Sequence, residues 1–542
     1  LKALLIDGYV DEPAQFGVPP YLSAYSRYAF GIARMCGYDV IYKTIDEVRN
    51  GELPFHDLLI VIGGVTVPGN YLGGIPMTVE EAQKIASSSR AQLKVLMGSM
   101  AEYAVDRSGG IVAKRNSFEG YDLKLWKNYE MKLYEALCEE KWPSSRYDLI
   151  DKTVERSAEI LRQHPNFPDV FCEIELGMGC ERQTHCSFCT EPLWGEFVSR
   201  DVDNVIHEVK ALYENGARHF RLGRISNIFA YHGKIKPNID AISRLYRGIR
   251  EVAPELKTLH TDNANPGYIY SNLKDSQEVL KIIVENNTPG DVLSMGVESF
   301  DPTVIRMNNL KITFERFIKV LEMVNSIGAT RIEGVPKILP GINILFGLSG
   351  ERKETYRINY DSMMKILESG LLVRRVNVRK AMAFPDTPLY TLLKGKPPRV
   401  NEGLYKHFKY SLRKNFDHPM LKKVFPVGTI LRDVIVEKIE GNVSYGRQIG
   451  TYAILVGIPT SLPLHEHVDC VVVSHGQRSL TAMQIPINLN EIQLKALKWI
   501  PGIGKKALSD IALKRPFKDK SDFYEKTKVK LPEWIEKWVI FK

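Results

Sequence analysis

Cys180-Glu-Arg-Gln-Thr-His185-Cys186-Ser-Phe188-Cys189 places three of the chain's seven cysteines within ten residues. Thiolates this close together can reach one iron–sulfur cluster from a single loop. Three such ligands leave the fourth iron of a [4Fe–4S] cube open to another partner. Two other readings attach to the same residues: three buried structural thiols, or a zinc site that borrows Cys172 or a histidine. Zinc suits the spacing less well, because paired Cys-x-x-Cys knuckles are absent and only Cys470 lies downstream.

The run opens a long alternation of strand and helix patterns. Cys172-Glu-Ile-Glu175 alternates as a strand, and Gly177-Met-Gly179 turns the chain into the cysteine loop. Arg200 to Gly216 reads as a crossover helix, His219–Arg224 as a second strand, and Lys257–His260 as a third, leading into Asp262-Asn263-Ala264-Asn265-Pro266. Ser294–Ser299, Gly341–Gly347 and Val376–Arg379 continue the series. Repeated βα units of this kind build a parallel sheet.

In this order the elements of residues 169–390 resemble the radical S-adenosylmethionine (SAM) enzymes. Their common motif is Cys-x3-Cys-x2-Cys with an aromatic before the last cysteine, here Phe188; five residues separate Cys180 from Cys186, so this loop carries two more than usual. Gly296-Val-Glu298-Ser299 resembles the family's Gly-x-Glu-Ser segment, with Asp301 and Arg306-Met307-Asn308 following. Gly347 to Thr355 resembles its Gly-Leu-Pro-Gly-Glu-Thr element, with Ser349 in place of the proline. Val376–Arg379 and Pro385-Asp-Thr387-Pro388 resemble the last strand and loop.

The resemblance implies an α/β fold closed into a partial (β/α)6 barrel. It implies that Cys180, Cys186 and Cys189 each ligate one iron of a [4Fe–4S] cluster, and that S-adenosyl-L-methionine chelates the fourth. One electron from a reductant such as ferredoxin or flavodoxin then cleaves the sulfonium, giving a 5'-deoxyadenosyl radical. Glu298 is carried over as the carboxylate that accepts the ribose hydroxyls. Gly223 and Arg224 stand where the second strand of the family meets the methionine amine and carboxylate, and Asn263 and Asn265 reach the same cavity. Asp262, Glu333, Lys337 and Arg379 are candidates to line the mouth. His185 shields the cluster, tunes it, or faces solvent.

Residues 1–110 read as a doubly wound, Rossmann-like domain, with strands at Ala3–Ile6, Val40–Tyr42, Leu58–Ile62 and Lys94–Met97 and a helix at Ala24–Met35. A Gly/Pro-rich loop, Gly17-Val-Pro19-Pro20, follows the first strand. At fold level this domain resembles the cobalamin-binding domain of other radical SAM enzymes. Their cobalt-ligating Asp-x-His-x-x-Gly motif is absent, His56 being the lone histidine, so the reading disfavours bound cobalamin. Residues 111–168 lack a clear period and read as a connector. A second cluster of the methylthiotransferase kind is not supported, because only Cys36 and Cys138 precede Cys172.

Length, 542 residues, implies about three or four domains. No apolar run is long enough to span a membrane, the first residues read as a buried strand, and few cysteines fit a reducing, cytoplasmic compartment better than a disulfide framework. Net charge is +9 and uneven: residues 374–423 hold thirteen Lys/Arg against three acids, and residues 491–542 thirteen against seven. The remainder is net negative. A basic linker, 391–424, leads to short β-patterned runs over 425–487 that read as a small closed β domain, OB-like or similar to the RNA-binding barrel of radical methylthiotransferases. Arg432, Arg447 and Arg478 would face RNA; the rival reading is a structural cover for the active-site domain. Residues 488–542 contain Pro501-Gly502-Ile503-Gly504-Lys505-Lys506, which resembles a helix-hairpin-helix motif whose amides face a phosphate. Together these features point to an enzyme modifying structured RNA such as tRNA. The alternatives are a cobalamin-assisted methyltransferase acting on RNA or protein, or a nucleic-acid-binding protein with a structural cluster.

Overall fold

The computed structural model describes residues 1–9, 21–64, 74–104 and 109–542; the Gly17-Val-Pro19-Pro20 loop lies outside the described residues. The N-terminal sheet has five parallel strands in the order Asp39–Thr44, Lys2–Asp7, Leu58–Ile62, Leu93–Met97, Leu123–Leu125. Leu5, Ile60 and Val95 face the helices Ala24–Met35 and Tyr129–Cys138, while Leu4, Leu59 and Leu96 face the helix Val79–Ser88. Both faces are covered, which explains the unbroken apolar runs in the sequence.

Residues 111–168 are more than a connector. They supply the fifth strand and the helices Tyr129–Cys138 and Arg146–Ala158, both packed on Ala24–Met35. A three-residue strand is too short to show a period. The reading against disulfides also needs correction: Cys36 and Cys138 are bonded, tying together the ends of two helices.

The central sheet runs through Phe171–Glu175, His219–Gly223, Thr258–Thr261 with its continuation Asn263–Ala264, Asp291–Glu298, Ile338–Phe346 and Arg375–Lys380, all pairs parallel. Alternate residues point outward into helices and inward into a polar interior. On the inner side, fully buried Arg221 meets Glu173 at 3.2 Å and also pairs with Asp262. The N-terminal domain touches both edges of this curled sheet. Tyr21–Leu22 adds a parallel strand beside Phe171–Cys172, and Val112 bridges to Ala383 beyond the last strand. Between the helices, buried Arg27 and Arg200 share the Glu208 carboxylate. Removing one partner from such a buried group costs about 3–5 kcal/mol.

Five strands of residues 430–484 close a small barrel in the order Ile430–Glu440, Val443–Arg447, Leu455–Ile458, Ser479–Gln484, His467–His475, with Leu455–Ile458 and Ser479–Gln484 pairing in parallel. The loop after Arg447 enters the amino end of the central sheet. Thr451 N–H donates to His260 Nδ1 at 2.9 Å, Thr258 Oγ1 donates to Ile449 O at 3.1 Å, and the Tyr452 hydroxyl lies 3.2 Å from Ser294 Oγ. The small barrel therefore plugs the floor of the active-site domain. C-terminal to it, Ile500, Ile503 and Ile511 bury the hairpin between Leu494–Leu497 and Lys505–Lys514.

Candidate functional site

The cysteine loop leaves the carboxyl end of Phe171–Glu175 and is held from three sides. Buried Glu181 accepts from Ser226 Oγ at 3.0 Å, Asn227 Nδ2 at 3.2 Å and Asn265 Nδ2 at 2.6 Å. Ser187 donates its N–H to Asn308 O at 3.1 Å and its hydroxyl to Asn308 Oδ1 at 2.7 Å. Arg182 Nη2 donates to Asn309 O at 2.7 Å, while its Nη1 lies 2.9 Å from the Cys186 sulfur. A loop with two extra residues is thereby pinned near each cysteine.

Burial pushes the Cys180 thiol up to about 11 and the Cys189 thiol up to about 12, so both stay protonated near neutral pH until a metal displaces the proton. Among the described residues, no three His, Cys, Asp or Glu side chains are grouped closely enough to hold a metal ion. The donor chemistry nonetheless suits an iron–sulfur cube: three thiols on one anchored loop, with a half-buried lysine beside them. That lysine is Lys311. Burial pulls its pKa down, but Cys186, Glu298 and Cys189 around it more than offset this and the net shift is upward.

Glu298 ends the strand Asp291–Glu298 at a register shift, with φ of +69°. Such a bulge re-aims a side chain at the rim of a sheet. A Cβ at Gly296 would stand 2.6 Å from Glu298 Oε1 and 2.8 Å from Lys311 Nζ, so glycine leaves the space that both groups enter. Burial raises the Glu298 carboxyl to about 7, with Lys311 and Arg379 opposing. A carboxylate and an ammonium thus converge beside the cysteine loop, the pairing that a ribose and an amino-acid carboxylate require.

The other expected residues divide. A Cβ at Gly223 would stand 2.7 Å from Glu173 Oε1, which places that glycine against the inner face. Arg224 lies between the domains, its guanidinium 4.6 Å from the Tyr25 ring and 5.7 Å from the Trp194 ring. Asn263 donates to Asp262 Oδ2 at 3.0 Å, and Asn265 caps the helix Pro266–Ser271 while holding Glu181. Glu333 and Lys337 sit at the amino end of the sheet, not at the mouth, because the chain turns through 331–336 before the strand Ile338–Phe346 begins. Cys172 is buried beside Arg27, and its thiol is raised to about 12 by burial.

The arginines expected to face RNA meet a different geometry. Arg432 donates to Glu333 at 2.8 Å and to Asp469 at 2.7 Å, and Arg447 pairs with Glu437 at 2.8 Å and is buried. Arg478 is exposed, 4.0 Å from Asp417. In the hairpin, Gly502 has φ of +91° and Gly504 opens the Lys505–Lys514 helix with no side-chain cap, leaving its amides and the exposed Lys505 and Lys506 facing outward. Sequence reasoning passed over Glu181, Lys311 and Tyr452. The one available signal was a lone cation, Lys311, between Leu310 and Ile312.

The carboxyl edge of the N-terminal sheet meets the cysteine loop. Trp126, just after Leu123–Leu125, packs edge-on against Trp194 with ring centroids 5.4 Å apart, and Tyr103 packs against Phe384 at 5.0 Å. Gly8, Gly63 and Gly98 end strands at this edge, where an added Cβ at Gly8 would collide with Met77 and one at Gly63 with Met100. His56 lies elsewhere, between Pro54 O and Ser89 Oγ, and no histidine stands at the edge among the described residues.

Residues 174–356 match the family model of the Radical SAM superfamily. A protein of Archaeoglobus fulgidus, known only as an uncharacterized protein, is 38% identical over 535 residues, covering 95% of this chain and 96% of its own length. The tRNA-2-methylthio-N(6)-dimethylallyladenosine synthase of Treponema pallidum is 27% identical over 223 residues, 39% of this chain and 45% of that enzyme. Among solved structures, the radical S-adenosylmethionine methyltransferase TsrM of Kitasatospora setae, with cobalamin and a [4Fe–4S] cluster bound, superposes with a TM-score of 0.45 at 15% identity, over 72% of this chain and 73% of that one. On its shared length and identity, the chain belongs to the family of the Archaeoglobus fulgidus protein, and its own radical SAM domain marks it as an enzyme.

Proposed function

We propose that this enzyme is a radical SAM transferase acting on structured RNA, and that its N-terminal domain holds a second reactant against the cysteine loop. Cobalamin-assisted methyl transfer is the reaction this arrangement supports best. The observation that carries it is the contact of Trp126 with Trp194, which turns the carboxyl edge of a Rossmann-like sheet toward the cluster loop. Ligands of such sheets bind at that edge. The described residues offer glycine-turned backbone there but no cobalt ligand, so no step is assigned to cobalt.

Within the site, Cys180, Cys186 and Cys189 hold the cluster, and Glu298 accepts the ribose hydroxyls of SAM. Lys311 offsets the negative charge of the thiolates and faces the methionine carboxylate. The cluster supplies one-electron reduction of the sulfonium when bound. Gly502, Gly504, Lys505 and Lys506 engage phosphates of the RNA, a contact that positions without reading sequence.

A second reading, direct hydrogen abstraction from a tRNA nucleoside without a corrinoid, is favoured by the missing histidine motif and by the Treponema pallidum relative. One experiment separates the two. Anaerobically reconstituted protein is given methyl-labelled SAM and RNA from cells lacking it, with and without hydroxocobalamin. Corrinoid-dependent label in RNA is expected. A corrinoid-independent change in the RNA selects the second reading, and unchanged RNA contradicts both.

A further inference from the structure

We propose that Asn343 and Asn377 read the edge of an everted RNA base inside the curled central sheet. The inference rests on the RNA reading above and names what the site recognises in the RNA. Ile342, Ile344 and Phe346 pack outward in the core, as does Val376, which leaves Asn343, Leu345 and Asn377 on the inner face. In register, Gly296, Asn343 and Asn377 form one row across three strands, and Leu345 and Arg379 belong to the next row toward the carboxyl end. Leu345 packs with the apolar cluster that includes Cys186 and Cys189. The amide row therefore lies one inward step, about 7 Å along the strand, from the surroundings of the cysteine loop.

The two sides of this interior differ. Across the first three strands it is filled: Arg221 pairs with both Glu173 and Asp262, and all three are sealed from solvent. On the opposite side Asn343 and Leu345 are only half-buried, so the space in front of them is open. Toward the amino end that space is floored by Tyr452, whose hydroxyl meets Ser294 Oγ at 3.2 Å. Asn343 Nδ2 donates to the same Ser294 Oγ at 3.4 Å, and Asn377 Nδ2 donates to Asn343 Oδ1 at 3.2 Å. These bonds use one N–H of each amide. Asn377 Oδ1 and the second N–H of each amide have no partner among the described residues, although Asn377 is only 8% exposed.

A deeply placed amide oxygen without a partner has lost hydration that a matching donor restores. What the pair offers is a neutral acceptor beside neutral donors. An ionised phosphate presents acceptors alone, whereas a base edge sets a donor next to an acceptor, as adenine does with its N6 amine and N7. Such a base must leave its stack to enter the sheet. Leu345 adds apolar surface on the side nearer the cysteine loop.

The test uses reconstituted full-length protein, SAM, hydroxocobalamin and RNA from cells lacking the protein, with the modified nucleoside read by its mass change. Asn377→Leu keeps the volume and removes the amide. RNA modification should fall about tenfold to a hundredfold, while RNA affinity stays within about twofold and 5'-deoxyadenosine formed without RNA stays at the wild-type rate. Asn377→Ser, smaller and still polar, should show the same split and serves if the leucine variant loses its iron. Wild-type RNA modification by these variants would overturn the base-reading site and leave the RNA reading standing. A parallel loss of 5'-deoxyadenosine without RNA would assign the amides to the adenine of SAM and overturn it as well. Wild-type protein that cleaves SAM but changes no RNA would overturn both readings.

Discussion

Glu181 Oε1 accepts a hydrogen bond from Asn265 Nδ2 at 2.6 Å, tying the neighbour of Cys180 to the cap of the helix Pro266–Ser271. The cysteine loop is thus fixed to the loop after the third core strand as well as to its own strand. Glu181→Ala would leave two buried donors, Asn227 and Asn265, and half-buried Ser226 without their acceptor, at about 1–3 kcal/mol each where water cannot replace it. Reconstituted Glu181→Ala protein should bind less iron per chain and show a broadened cluster EPR signal. Wild-type iron content with an unchanged spectrum would mean the loop is ordered without this anchor.

Tyr452 couples the small barrel to the active-site domain. Its ring is buried against Val292 and Arg375, and its hydroxyl meets Ser294. Tyr452→Ala should cost about 3–5 kcal/mol of docking, whereas Tyr452→Phe loses only about 0.5–1.5 kcal/mol. Limited proteolysis reads this directly: the alanine variant should release residues 425–542 rapidly, and the phenylalanine variant should resemble wild type. Equal resistance of all three would contradict the plug.

Glu298 gives the site a pH dependence. Its carboxyl is raised to about 7 by burial, so from the ordinary glutamate range up to about 7 the folded chain keeps a proton that the unfolded chain releases. Stability from this group is therefore full at low pH and falls as pH rises through that window. Ribose binding has the opposite sign, because the ionised form accepts both hydroxyls. SAM affinity should rise by up to about tenfold between pH 6 and pH 8, and Glu298→Gln should abolish the rise. Isothermal titration at the two pH values checks it; an equal rise in the variant would assign the titration elsewhere.

Arg432 tests the division of labour at the back of the chain. Its guanidinium is engaged by Glu333 and Asp469. Half-exposed pairs of this kind are worth about 0.2–1 kcal/mol. Arg432→Gln should lower thermal stability slightly and leave tRNA affinity within about twofold, whereas Lys505→Gln with Lys506→Gln should weaken it about tenfold or more. A large loss of affinity in Arg432→Gln would restore that arginine to the RNA surface.

What the sequence made legible follows from the range of the interactions. The cysteine spacing, the strands and the Gly296–Glu298 segment are local, and their patterns survive in one dimension. Ala24–Met35 and Leu58–Ile62 even appear with the bounds their apolar periods imply. Partners brought from far along the chain left no trace. Tyr452 meets Ser294 across 158 residues, Arg432 meets Glu333 across 99, and Cys36 bonds Cys138 across 102. Arginine composition alone could not separate Arg432, neutralised by two close acids, from Arg478, whose one acidic neighbour stands 4.0 Å away. Lys311 was hidden for another reason: its role depends on the side chain missing from Gly296.

Cys180, Cys186 and Cys189 are proposed to hold a cluster that reduces SAM. The most direct measurement of this is 5'-deoxyadenosine formed after anaerobic iron and sulfide reconstitution and dithionite reduction. Wild-type protein should release 5'-deoxyadenosine and methionine, and Cys186→Ala should release neither. An intact, reduced cluster that leaves SAM uncleaved would contradict the account.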